Sequence, residues 1–334
     1  MVVGHLWVVL AGRRSRGSTW REGRSRPVSI IANLPPISAA AVGRRRSSAC
    51  LPEVTAAMDA RIAALNLFPV KGCRGVALKE AAVSATGLEV DGIGDREWVV
   101  VDADGEFLSQ REHPAMALIE TRLTAGSLLL KAPGMLLLDV PLDSEGEVAE
   151  VRVWDDRVSA VSQGEIADAW LGRYLGTPAR LMRFDYQATR LAAHRYTGKV
   201  DAPFKFADGF PLLVTGTASL AELNGRLQRQ GAAPVAMDRF RSNIVLDGLP
   251  AFEEDYARLL RAGPVAIRPV KPCARCTVPG VDPATGEHST AVTDVLAAMR
   301  ATPDGVMFGV NAIVVEGAGA TLRVGDVVAV ELRL

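Results

Sequence analysis

From Ala60 onward the chain is a succession of short apolar runs broken by turns rich in Gly, Asp and Pro. Such punctuation leaves little room for long helices, so the core must be built largely from short strands. The stretch "IAALNLFPV" (residues 62–70) reads as one strand, and "REWVVVDADGEFLSQR" (96–111) as a hairpin turning at Asp104-Gly105, a residue pair that suits a tight turn. "LIETRLTAGSLLLKAPGMLLLDVPL" continues with short strands between Gly-containing turns, and "EVRVWDDRVSAV" (150–161) reads as another hairpin. Strands at this spacing predict a partly closed, barrel-like domain over residues 58–182.

Three segments break the pattern with a helical period. "EIADAWLGRYLG" (165–176) carries Gly176 as its stop signal. "ASLAELNGRLQRQG" opens with Ser219-x-x-Glu222, the spacing of a capping box, and sets Leu220, Leu223 and Leu227 on one face. "STAVTDVLAAMRA" aligns Val292, Val295, Leu296 and Met299. Between and after them, "NIVLDG" and the terminal "MFGVNAIVVEGAGATLRVGDVVAVEL" read as strands. Residues 183–334 are therefore expected to form a second strand-rich α+β domain with a few helices.

Residues 1–57 show neither period. They hold nine arginines, no lysine and two acids, so this segment carries +7 and the remainder −7, although the whole chain is neutral. A basic targeting segment, a disordered extension, or translated sequence upstream of a true start at Met58 would each look like this. The third is preferred, because "MDARIAALNLFPVKG" reads as a clean start. The mildly acidic body gives no sequence-wide case for nucleic-acid binding, and no apolar run approaches the roughly 20 residues of a membrane-spanning helix. Four cysteines in 334 residues argue against a disulfide scaffold and for a reducing compartment, taken as the cytoplasm.

Two of those cysteines, Cys273 and Cys276, stand as C-x-x-C in "RPVKPCARCTVPGVDPATGEH". Zinc would need two further ligands, and the candidates are His288 and the distant Cys73. A redox dithiol would open a helix, which the prolines after Cys276 forbid. Two ordinary buried cysteines form a third reading. The fourth is a single thiolate on a soft metal, with Arg275 and Lys271 favouring the deprotonated sulfur and a Pro/Gly-rich loop leaving backbone N–H groups free. Asp282, before Pro283, reads as a turn residue.

"CARCTVPGVDPATGE" resembles the signature of the MOSC family, the molybdenum-cofactor-sulfurase C-terminal-like domains found in amidoxime-reducing components. The resemblance continues in "NLFPVKGCRGVALKEAAVSATGL" and "GDREWVVVD", similar to the family's N-terminal β-domain. "FADGFPLLVTGTASLAELNGRL", "FRSNIVLDG" and "LRVGDVVAVEL" are similar to its cofactor domain. It thus implies an N-terminal MOSC-associated β-barrel-like domain followed by a MOSC β-barrel domain. It also implies a molybdenum cofactor, a pyranopterin with dithiolene and phosphate, held through one cysteine that matches Cys276; Cys273 matches a position that is not a ligand. Cofactor contacts match Lys71 and Gly72 (where animal relatives have Ser for the Gly), Arg96, Asp208, Gly209, Phe210, Arg241, Asn243 and Arg275. Arg111 aligns with a further arginine near the site, and His113 reads as structural.

The implied activity is reduction of N-hydroxylated compounds: amidoximes, hydroxylamines and N-hydroxylated nucleobases. The chain has no four-cysteine pattern for an iron–sulfur cluster and no G-x-G-x-x-G. A separate electron donor is therefore expected: a flavin reductase, a ferredoxin or a cytochrome-like carrier. Rival expectations are a cofactor carrier or sulfur-handling protein without turnover, and a metal-free binding domain.

Overall fold

The computed structural model describes residues 57–333. The expectation for the basic N-terminal segment therefore lies almost wholly outside the described residues. Seven strands form the central barrel: β1 (Ala57–Leu67), β2 (Leu212–Gly216), β3 (Ile244–Asp247), β4 (Ala257–Ala262), β5 (Val265–Ala274), β6 (Gly305–Glu316) and β7 (Val327–Leu332). Around the ring the order is β2-β3-β1-β7-β4-β5-β6, and β6 pairs back to β2 through Leu212↔Ala312 and Val214↔Val310. Closure leaves none of these seven strands with a bare edge along its paired length. Leu65, Val214, Ile244, Leu246, Ala312 and Val330, each at most 2% exposed, belong to one buried cluster.

Most neighbours are antiparallel, but β2 and β3 run parallel, with Val214 beside Ile244. A parallel pair needs a crossover, and a helix supplies it. Four helices are described: α1 (Glu165–Leu175), the single turn α2 (His194–Thr197), α3 (Thr217–Arg229) and α4 (Ala291–Arg300). The crossover is α3, which buries Leu223 and Leu227 against Val292, Val295 and Leu296 of α4. α1 stops where the sequence places its stop, with Gly176 in the left-handed region at φ 71°. The expected capping box of α3 does not form. Ser219 donates to both carboxylate oxygens of buried Glu254 (2.7 and 2.8 Å), and Glu222 pairs with Arg226 instead. Glu254 also accepts the Gly216 N–H at 2.9 Å. A negative charge from a distant turn thus satisfies the N-terminus of α3, and the local cap is redundant.

Three small sheets surround the N-terminal side. Val148–Val153 and Asp156–Ser162 form a hairpin extended by Arg180–Phe184 and Trp98–Val101. Glu120–Leu123, Ser127–Lys131 and Leu138–Pro141 form a meander. The third sheet pairs Glu80–Ser84 with Thr321–Arg323 from the far end of the chain. β1 likewise belongs to the barrel: it pairs with β3 (Leu65↔Ile244) and with β7 (Met58↔Val330). The regions expected as 58–182 and 183–334 are therefore stitched together twice.

Residues 183–334 expressed alone are expected to stay unfolded, because the barrel then lacks the strand between β3 and β7. A dispersed amide NMR spectrum from that fragment would sink this view. In the longer chain, Leu65→Ala is expected to cost about 2–5 kcal/mol in urea denaturation.

Candidate functional site

A cleft of about 650 Å³ opens between the N-terminal sheets and one end of the barrel. All ten residues singled out from the sequence line it: Lys71, Gly72, Arg96, Asp208, Gly209, Phe210, Arg241, Asn243, Arg275 and Cys276. They arrive from five separate stretches of chain. The lining also holds Arg111, Lys271 and Cys273, together with Trp154, Arg190, Gln110 and Asn311, which sequence reasoning did not single out.

The floor is organised by Asp95, just outside the lining. One carboxylate oxygen accepts the Phe68 N–H and the Asn243 side-chain amide, both at 2.9 Å, while the other pairs with Arg96. Asn243 is 1% exposed, and its Oδ1 accepts the Leu213 N–H at 3.0 Å. Its polar groups are thus spent on β1, β2 and Asp95, which makes it a positioning residue for the floor. Arg96 sits at φ 48°, an uncommon conformation for a non-glycine residue, and its backbone bonds to both Phe68 and Phe206. The guanidinium carbons of Arg96 and Arg241 lie 4.5 and 4.4 Å from the centre of the Phe68 ring, so one aromatic side chain supports two cations.

Lys71 donates to the Phe206 carbonyl at 2.9 Å and to Asp208 at 2.5 Å. Burial lowers the Lys71 pKa, and Asp208 partly offsets that. For Asp208 the balance is reversed. Partial desolvation by the surrounding cleft opposes its charge, but Lys71, the Trp154 Nε1–H at 2.9 Å and Arg96 together hold its carboxyl well below the usual range. The side chain of Asp208 is 75% accessible, and that surface faces the cleft. Gly72 has φ +84°, and a Cβ there would stand 2.8 Å from Met116 Cε. A serine at this position would be strained, so glycine fits the local backbone. A Cβ on Gly209, by contrast, would meet nothing within 4 Å, which leaves its backbone open to a ligand.

On the opposite wall, β5 runs into the cysteine loop. Arg275 donates to Cys273 Sγ at 3.2 Å and to the Phe240 carbonyl at 2.9 Å. Cys276 is exposed, and Cys73, Cys273 and Cys276 are all free thiols. Burial pushes the Cys73 thiol up to about 12, so it stays protonated and is no second thiolate. Among the described residues no three His, Cys, Asp or Glu side chains come together as a metal cage. Asp282 does form a turn, accepting the Ala284 N–H at 2.8 Å, and also pairs with Arg239 at 2.7 Å. Arg239 reaches the Pro279 and Gly280 carbonyls as well, and so pins the loop that carries Cys276. Its sequence signal was only its place beside "FRSN".

The donor set fits an anionic group. Seven cations face three carboxylates around the cleft. Arg241 Nη2 and Arg275 Nε are buried with no hydrogen-bond partner among the described residues. Burial, with Arg96 nearby, pushes Arg241 down to about 9, so it remains a cation at neutral pH. Buried orphan donors on two guanidinium groups are costly unless a ligand accepts from them.

The same order of motifs is found in known proteins. Residues 59–178 match the MOSC N-terminal beta barrel domain, and residues 201–329 match the MOSC domain. The chain belongs to the MOSC family. Mitochondrial amidoxime reducing component 2 of Homo sapiens is 34% identical to this MOSC chain over 230 residues, covering 67% of the chain and 68% of that protein. Mitochondrial amidoxime-reducing component 1 of Homo sapiens is 31% identical over 233 residues, 68% of each. Molybdenum cofactor sulfurase of Homo sapiens is 30% identical over 257 residues, 71% of this chain and 28% of that protein. Membership links the chain to molybdenum-cofactor chemistry. Among the described residues no helix is long and apolar enough to cross a membrane.

Asp208→Asn is expected to lower the Lys71 pKa further, since Asp208 is what opposes the effect of burial on that ammonium. Lysine-selective NMR titration reads this directly. A Lys71 resonance titrating at unchanged or higher pH in the variant would contradict the assignment.

Proposed function

We propose that this MOSC chain is a molybdenum-cofactor-dependent reductase of N-hydroxylated compounds: amidoximes, hydroxylamines and N-hydroxylated nucleobases. The observation that carries this reading is the meeting, in one cleft, of an exposed free cysteine with two half-buried arginines, each of which has one buried guanidinium nitrogen, Arg241 Nη2 and Arg275 Nε, without a hydrogen-bond partner among the described residues. The bound cofactor supplies the two-electron, oxygen-accepting chemistry that converts R–NHOH, two electrons and two protons into R–NH2 and water. Cys276 provides the one protein thiolate for the metal. Arg241 and Arg275 donate to the cofactor's anionic groups, and Arg96 and Lys71 add positive charge to the floor. Gly72 lets the chain turn tightly against Met116, Gly209 leaves its backbone open to a ligand, Phe210 lines the same side, and Asn243 holds the floor in register. Asp208 opposes the burial that lowers the Lys71 pKa.

Electrons come from a separate redox partner, a flavin reductase, ferredoxin or cytochrome-like carrier. The names of the relatives support amidoxime reduction, and with it a role in detoxification; they also raise a mitochondrial location beside the cytoplasmic one. The second reading, a cofactor carrier or sulfur-handling protein without turnover, is favoured by the match to a molybdenum cofactor sulfurase.

Protein from a cofactor-competent host is expected to carry molybdenum by elemental analysis and to reduce N-hydroxyadenine with a reduced dye. Cys276→Ser should bring both to background, while Cys273→Ser should retain most of each. Molybdenum without reduction would favour the carrier. Equal loss from both cysteine variants, or no molybdenum in the wild type, would overturn the assignment. Arg241→Ala is expected to weaken cofactor retention by about 10–100-fold, as for other groups supporting a metal site.

A further inference from the structure

The hairpin of Val148–Val153 and Asp156–Ser162 ends in a two-residue turn, with Val153 opposite Asp156. The first turn residue is Trp154, at φ +58°. Turn positions with positive φ favour Gly, Asn or Asp, and a bulky side chain there is a true outlier. Such outliers persist where surrounding contacts over-determine them, and Trp154 has three. Its ring meets Phe107 edge-on at 4.8 Å, carries the Arg111 guanidinium at 4.7 Å, and donates Nε1–H to Asp208 at 2.9 Å. The turn itself is tied down, because Arg190 holds Asp156 at 2.6 Å and also bonds the Lys205 and Ala207 carbonyls.

Despite this fixing, the ring is not core. Trp154 is 44% exposed and lines the cleft, whereas Trp98 and Trp170 are 0% and 9% exposed. An indole held in one pose, exposed and lining a ligand cleft, is a preset stacking surface, because little freedom is lost when a partner covers it.

We propose that Trp154 is a specificity-determining wall of the cleft. It stacks the flat, conjugated ring of the substrate and so selects aryl amidoximes and N-hydroxylated nucleobases over small aliphatic hydroxylamines. This rests on the reductase reading above. Arg111 belongs to the same wall, since a planar guanidinium stacks with the indole and keeps it from turning away.

The test uses molybdenum-loaded wild type, Trp154→Gly and Trp154→Phe. Glycine suits the positive φ and removes the ring without straining the hairpin. Phenylalanine keeps a ring but loses the N–H to Asp208. Three quantities are measured: molybdenum content, kcat/KM for N-hydroxyadenine against N-methylhydroxylamine, and calorimetric binding of adenine, which is flat but cannot be reduced. Trp154→Gly is expected to lower the selectivity ratio about tenfold, chiefly through KM, and to weaken adenine binding by about the same factor, the scale of one lost base–aromatic stack. Trp154→Phe should keep most of both. An unchanged ratio in Trp154→Gly would overturn the proposal. So would equal losses in the two variants, which would assign the effect to the Asp208 hydrogen bond, or loss of molybdenum in Trp154→Gly, which would assign the ring to the cofactor. If the wild type reduces neither compound, the reductase reading fails by itself, and adenine binding still decides whether Trp154 is a stacking wall.

Discussion

A single buried carboxylate, Asp95, holds together what the rest of the molecule needs. It binds the backbone of Phe68 at the end of β1, the Asn243 amide at the start of β3, and the Arg96 guanidinium. Through Asn243 it also reaches β2. A buried ion pair adds little net stability, because desolvation offsets attraction, but removing one partner is costly. Its value here is registry. The barrel end, the Phe68 ring and the two cations resting on it are all placed relative to one charge. The cleft's positive floor therefore depends on a residue that does not itself face the ligand space.

Two devices complete the cleft from outside that node. Arg190 draws the Trp154 hairpin and the Asp208 loop together, and Arg239 pins the loop that presents Cys276. Both are arginines spent on carbonyls and carboxylates, with side chains 6% and 12% exposed. Arg241 and Arg275 also donate to protein carbonyls, but each keeps one buried nitrogen without a partner among the described residues. That remaining donor is what each can offer to an anionic ligand.

What could be read from the sequence was local. The hairpin over 150–161, α1, α3 and α4 follow from period and turn residues, and the ordered motifs brought ten residues into one cleft; in 96–111 only Trp98–Val101 becomes a strand, joined to the other arm by the single bridge Val101↔Phe107. Non-local features escaped. No pattern in "IAALNLFPV" says that its pairing partners lie near residues 244 and 330, so the shared sheet was hidden. Ser219-x-x-Glu222 has the spacing of a capping box, yet a carboxylate from residue 254 took its place. Trp154 stood in plain view, and its one signal was chemical: tryptophan at a turn position where glycine, asparagine or aspartate is expected. Arg190 carries no local mark, since its role arises only when the Trp154 hairpin and the Asp208 loop meet.

The position of β1 in the ring has a temporal consequence. This strand leaves the ribosome before most of the described chain, yet its two barrel neighbours include β7, which emerges near the end. Contacts between such distant segments are slow to form, because chain closure must precede their reward. The barrel cannot close, and the cleft cannot take shape, until nearly all of the described chain has been synthesised. In the interval β1 has only Val76–Leu78 beside its last three residues, and the rest of the strand lacks its barrel neighbours, the kind of surface that invites aggregation. Loading of any large anionic ligand is thereby made a late event, coupled to completion of the fold rather than to an early intermediate.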